Sequence, residues 1–116
     1  QGRPWPVYRS GAIYEQQGMH DAARSAYWDA LDTTRDDAAV ALLISRGMAR
    51  IDDRPGVFEA LRRAGQLSAT LREPSPEDML ASMAASEEFD AYRQEPEFAS
   101  VVAELEAERS VNAAGL

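Results

Sequence analysis

The chain contains no cysteine, no lysine and a single histidine, and these shortages remove much of the chemistry open to a small protein. Without cysteine there is no disulfide, no thiol nucleophile and no cysteine-ligated zinc, and this composition fits a reducing or an oxidising compartment equally. Without lysine there is neither a phosphate-loop ammonium nor a Schiff base, and no serine stands in a nucleophile elbow. His20 has no second histidine at ligand spacing, so it reads as a solvated turn residue, and no metal or cofactor is expected. No apolar run approaches the roughly 18 residues of a membrane span. The chain begins at Gln1 with neither methionine nor a signal-peptide pattern, as an excised or processed piece of a longer protein would. Localisation stays open, with the cytoplasm favoured.

What is abundant is arginine, alanine and acid. All 12 basic residues are arginine and 21 residues are alanine, a bias that points to a GC-rich, bacterial source. With 45% hydrophobic and 28% charged residues, 116 residues suffice for one folded domain, 1–116, and not for two. The net charge of −8 is unevenly spread: residues 1–72 carry 10 Arg against 9 acids, and residues 73–116 carry 2 Arg against 11. An acidic second half argues against nucleic acid, whose binding rests on clustered cations.

Helical periodicity runs throughout and no stretch alternates long enough for a strand, so the fold class is all-α. A first helix from Pro4 or Pro6 toward Gln17 puts Val7, Gly11 and Tyr14 on one stripe and stops at Gly18. A second, from His20 or Asp21 to Thr34, turns Ala23, Ala26, Tyr27, Ala30 and Leu31 to one face. A third, from Asp36 to Ile51, buries Ala41, Ile44, Met48 and Ile51, and a fourth, from Pro55 to Leu71, buries Val57, Phe58, Leu61 and Ala64. Ser75 reads as an N-cap with Pro76 in the first turn, Ser86 and Pro96 as later starts, and the final Ser110–Leu116 as a frayed end. Phe98, Val101, Val102 and Leu105 form the last apolar stripe.

Gly11, Tyr14, Gly18, Ala23, Tyr27 and Ala30 spell G-x2-Y-x3-G-x4-A-x3-Y-x2-A across two helices and a short turn. This pattern resembles the tetratricopeptide repeat. The resemblance implies antiparallel helix hairpins, with Gly11, Ala23 and Ala30 as close contacts, Tyr14 and Tyr27 as fillers, and Gly18 turning the chain. A shift of 34 residues lands on Ser45, Met48, Asp52, Val57, Leu61 and Ala64, a second and degenerate copy. A further shift puts Glu95 in the aromatic slot, where the pattern fails. The expected organisation is therefore repeat 1 at 4–34, degenerate repeat 2 at 36–71, and capping helices at 75–110, with Phe89, Tyr92, Phe98 and Val102 turned inward.

Adjacent carboxylates at 36–37, 52–53 and 87–88 each fall at an expected helix start, which reads as capping and not as acid–base chemistry. The chain is thus expected to be no enzyme but an interaction scaffold, holding a peptide or protein segment in a concave groove. The resemblance places Trp5, Tyr8, Ala12 and Glu15 on the first helix, and Leu42, Arg46, Ala49 and Arg50 on the third, along that groove. Arg46 and Arg50 beside aromatics suit an acidic partner; the competing reading makes them a solvated face, paired with the acidic second half. The lysine and asparagine of the family's carboxylate clamp are absent. Trp28 points away from the expected core, either as a convex-face contact or covered by the segment Arg3–Pro6. Two further readings stand beside the scaffold: self-assembly through the first repeat, whose Trp5 and Val7 are left exposed, and a regulatory appendage of a larger enzyme or regulator.

Overall fold

The computed structural model describes residues 4–113. Among them the regular elements are α1 (Pro4–Gln16), α2 (His20–Thr33), α3 (Ala38–Arg50), α4 (Arg54–Leu71), α5 (Pro76–Ala85), a 3-10 helix (Glu87–Tyr92) and α6 (Pro96–Ala113), with no strand. Prolines open α1, α5 and α6, and Pro55 lies in the first turn of α4, where a missing amide costs nothing. Asp37 caps α3 by accepting from the Val40 amide at 3.0 Å, which moves the start of that helix past Asp36. Ser75 caps α5 through the Asp78 amide at 3.1 Å. The helix ends are closed from a distance. Arg63 donates to the carbonyls of Leu31 and Thr34 behind α2, and Arg93 to those of Met83, Ala84 and Ser86 behind α5. Where fraying was expected, α6 continues to Ala113, and residues 114–116 lie outside the described residues.

The hairpins α1–α2 and α3–α4 repeat bond for bond. At the first turn the amides of Gly18, Met19 and Ala23 donate to the carbonyls of Glu15, Tyr14 and Met19 at 3.0, 2.9 and 2.9 Å. At the second, 34 residues on, the amides of Asp52, Asp53 and Val57 donate to Ala49, Met48 and Asp53 at 3.1, 2.9 and 2.9 Å. Both turns need one left-handed residue, and Gly18 (φ 76°) and Asp52 (φ 57°) supply it. Aspartate is one of the few side-chain-bearing residues that tolerates this region.

The buried residues form one cluster, to which Ala23 and Ala30 of the repeat pattern belong. Ala23, Ala26, Tyr27, Ala30 and Leu31 make the buried face of α2, while Ala41, Ile44 and Met48 of α3 meet Val57, Phe58, Leu61 and Ala64 of α4. Tyr27 is gripped edge to edge: a Cβ on Gly11 would stand 2.7 Å from its Cδ1, and a Cβ on Gly47 would stand 2.5 Å from its Cζ. Glycine on α1 and on α3 is therefore what lets both helices close on one ring. Tyr14 departs from its expected role as a filler and is 37% exposed. Its counterpart Met48 is fully buried, with its sulfur 2.7 Å from where a Cβ on Gly56 would be; the matching position in the first hairpin is Ala22.

The C-terminal unit closes the second hairpin: α5 and α6 pack on α4 and on each other, and the 3-10 helix lies on α3. Phe89, Tyr92, Phe98, Val101 and Leu105 are buried as expected, whereas Val102 is half-exposed. No helix among the described residues is long and apolar enough to cross a membrane.

Candidate functional site

Arg46 and Arg50 are one helical turn apart on α3, so they share a face, and on either side of that face stands a glutamate from another element. Glu15 reaches in from α1 and Glu88 from the 3-10 helix. The Arg50 Nε–H donates to Glu15 Oε2 at 2.6 Å, while Arg50 Nη1 and Arg46 Nη2 both donate to Glu88 Oε2 at 3.1 Å. The other oxygen of Glu15 accepts from the Tyr27 hydroxyl at 2.6 Å. A continuous chain, Tyr27–Glu15–Arg50–Glu88–Arg46, thus links the first hairpin, the second hairpin and the C-terminal unit. It is anchored by the ring that the two glycines hold.

The electrostatics follow from that chain. Burial pushes the Tyr27 hydroxyl well above its ordinary value, the bond to Glu15 and its charge add to this, and Arg50 partly opposes it. Burial works against the Arg50 charge, but Glu15 and then Tyr27 more than restore it, so its pKa is raised. Burial likewise disfavours ionised Glu88, yet the Arg46 bond and the charges of both arginines hold its carboxyl below the usual range. Beside this chain an open pocket of about 500 Å3 is lined by Arg46, Ala85, Ser86, Glu87 and Glu88. The Nε–H of Arg46 is buried and has no acceptor among the described residues.

Around this cluster the remaining candidates are distributed unevenly. Trp5 is 47% exposed and stacks at 5.5 Å on half-buried Tyr8, which in turn lies 5.8 Å from Tyr27, so an aromatic row leads from the end of α1 into the core. Ala12 and Ala49 are half-buried on α1 and α3. Leu42 does not line a surface: at 7% exposure it belongs to the core, because the start of α3 is covered by its neighbours. Trp28 lies on α2 and is tied to the turn before α4. Its Nε1–H donates to Asp53 Oδ2 at 2.7 Å, and the ring packs half-buried against the core.

That contact also corrects the reading of the paired carboxylates. Asp37 is the one member of the three pairs that caps a helix through its side chain. Asp53 takes Trp28, Asp52 takes the Tyr92 hydroxyl at 2.5 Å, and Glu88 takes the two arginines. The pairing of Arg46 and Arg50 with the acidic second half was expected, without Glu88 being singled out, and residue spacing missed Gly47. Gly47 did carry a signal, since a glycine inside a helix costs about 1 kcal/mol relative to alanine and so marks a close approach. His20 is exposed, and no group of three metal-ligating side chains forms among the described residues. Compared with protein-family models, curated proteins and solved structures, the chain matches none.

Proposed function

We propose that the chain is a non-enzymatic interaction module that holds a peptide or protein segment, of acidic character, against the face shared by α1, α3 and the 3-10 helix. The observation that supports this reading is the convergence of Arg46 and Arg50 beside an open pocket, next to the aromatic row of Trp5 and Tyr8. Guanidinium forks recognise carboxylates in two-point contacts, and exposed aromatic faces add area with little loss of side-chain entropy. The test is selection of peptides from a random display library on the wild-type chain, with the Arg46→Gln/Arg50→Gln double variant as counter-selection. Acidic sequences retained by the wild type and lost by the variant support the reading; enriched sequences that both bind equally overturn it.

A second reading, self-assembly through the outer face of α1, has its own support. Ile13 occupies on α1 the position that Gly47 occupies on α3, and Gly47 is where α3 meets Tyr27 of the preceding hairpin. Ile13 is 48% exposed and stands with Trp5, Tyr14 and Met19 as large exposed apolar side chains. The stacking register of the repeat thus continues onto an uncovered face. Sedimentation equilibrium of the wild type and Ile13→Glu tests it: association that rises with concentration and is lost in the variant is expected, and a monomer in both contradicts it.

A further inference from the structure

We propose that Glu88 is a displaceable internal ligand of the Arg46–Arg50 pair, so that an acidic peptide binds by exchanging its own carboxylate for that of Glu88. The inference rests on the groove reading above and adds its regulation. Glu88 makes an incomplete ligand. One oxygen, Oε2, serves both guanidinium groups at 3.1 Å, and neither arginine is met by a two-point contact from it. Arg46 offers Nη2–H and Nε–H on the same edge of its fork; Glu88 takes the first and leaves the buried second without an acceptor. A peptide carboxylate seated there takes both, which a single shared oxygen cannot do.

The segment that carries Glu88 is built to let the carboxylate leave while the backbone stays. Its next neighbour Phe89 is fully buried and Tyr92 nearly so, with the Tyr92 hydroxyl bound to Asp52 and the ring 5.9 Å from Phe58. These anchors hold the 3-10 helix on α3 independently of the ion pair. Rotation of the Glu88 side chain is thus sufficient to vacate the arginines toward the adjoining pocket. Glu87 is exposed in the same pocket and forms no ion pair with either arginine, so it carries the same charge one residue away without ligating them.

The experiment measures binding of a fluorescein-labelled hexaglutamate peptide by fluorescence anisotropy to wild type, Glu88→Gln, Glu87→Gln and Arg46→Gln/Arg50→Gln, with helicity checked by circular dichroism. A latch of ordinary ion-pair strength leaves the open site populated a minor fraction of the time, so Glu88→Gln is expected to bind about fivefold tighter than wild type. Glu87→Gln removes the same charge from the same pocket without freeing an arginine, so it is expected to tighten binding by less than about twofold, and the double arginine variant to lose binding. If Glu88→Gln binds no tighter than Glu87→Gln while binding still needs the arginines, the latch is overturned and the groove reading stands. If the double arginine variant binds as well as wild type, both are overturned.

Discussion

Tyr27 and Gly47 belong to different hairpins, and the ring of one occupies the space that a side chain on the other would need: a Cβ at Gly47 would stand 2.5 Å from Cζ and 2.8 Å from the hydroxyl oxygen. The ring has no room to retreat, because Gly11 approaches its other edge at 2.7 Å on the same measure. Gly47→Ala is therefore expected to destabilise by about 1 to 3 kcal/mol in urea denaturation, overpacking outweighing the better helix propensity of alanine. Gly65→Ala inside α4, where the added Cβ meets nothing closer than Val101 Cγ1 of α6 at 3.7 Å, is expected to be neutral or stabilising by up to about 1 kcal/mol. Equal effects at the two sites contradict the account of Tyr27 as the ring on which the two hairpins close.

The hydrogen bond from Trp28 to Asp53 ties α2 to the turn before α4, and Asp53 is buried, with Arg24 at 3.8 Å as its other charged neighbour. Trp28→Phe keeps most of the ring and removes the donor. The expected loss is about 1 to 3 kcal/mol, the cost of leaving a buried acceptor unmet. A variant as stable as wild type places Trp28 back among surface residues.

Tyr92→Phe removes the hydroxyl that fixes Asp52 in its left-handed turn, at an expected cost of about 1.5 to 3 kcal/mol for a bond to a charged group. Asp52→Gly in the same background is expected to recover part of that loss, since glycine adopts the turn without the aid of a hydroxyl. If the second substitution destabilises further, the turn is held by something other than Tyr92.

How much of this was legible in the sequence varies with the range of the interaction. Helix starts at Asp37, Pro55, Ser75 and Pro96 are written in residues a few positions apart, and those boundaries fell within a residue or two of expectation. The 34-residue period was legible because Gly11, Ala23, Tyr27 and Ala30 are selected by packing within one hairpin. Glu88 on Arg46 and Arg50, or Trp28 on Asp53, joins residues that share no local pattern, and nothing in the spacing decides which of many carboxylates a given cation meets. Leu42 was misplaced for the complementary reason: a slot copied from an ideal array takes no account of the neighbours that cover α3 here.

The pH dependence of stability has opposite signs for Glu88 and for the two buried tyrosines, Tyr27 and Tyr92. Glu88 is held below the usual carboxylate range, so its contribution is complete above the unfolded value of about 4.3 and is lost as pH falls through the folded one. Tyr27 and Tyr92 are raised by burial and by their carboxylate partners, so their contribution is complete below about pH 10 and is lost as pH rises beyond it. Urea midpoints are expected to fall on both flanks, with the acid flank flattened in Glu88→Gln. A midpoint that climbs above pH 10 contradicts the assignment.

The claim that the α1–α3 face is the binding surface is tested most directly by backbone amide chemical-shift mapping of the wild-type chain titrated with an acidic peptide from the display selection. The expected result is a contiguous set of perturbed amides around Tyr8, Ala12 and Glu15 on α1, Arg46, Ala49 and Arg50 on α3, and Glu88 on the 3-10 helix. Perturbations confined to the outer face of α1 around Ile13, or to α4 and α6, would contradict it.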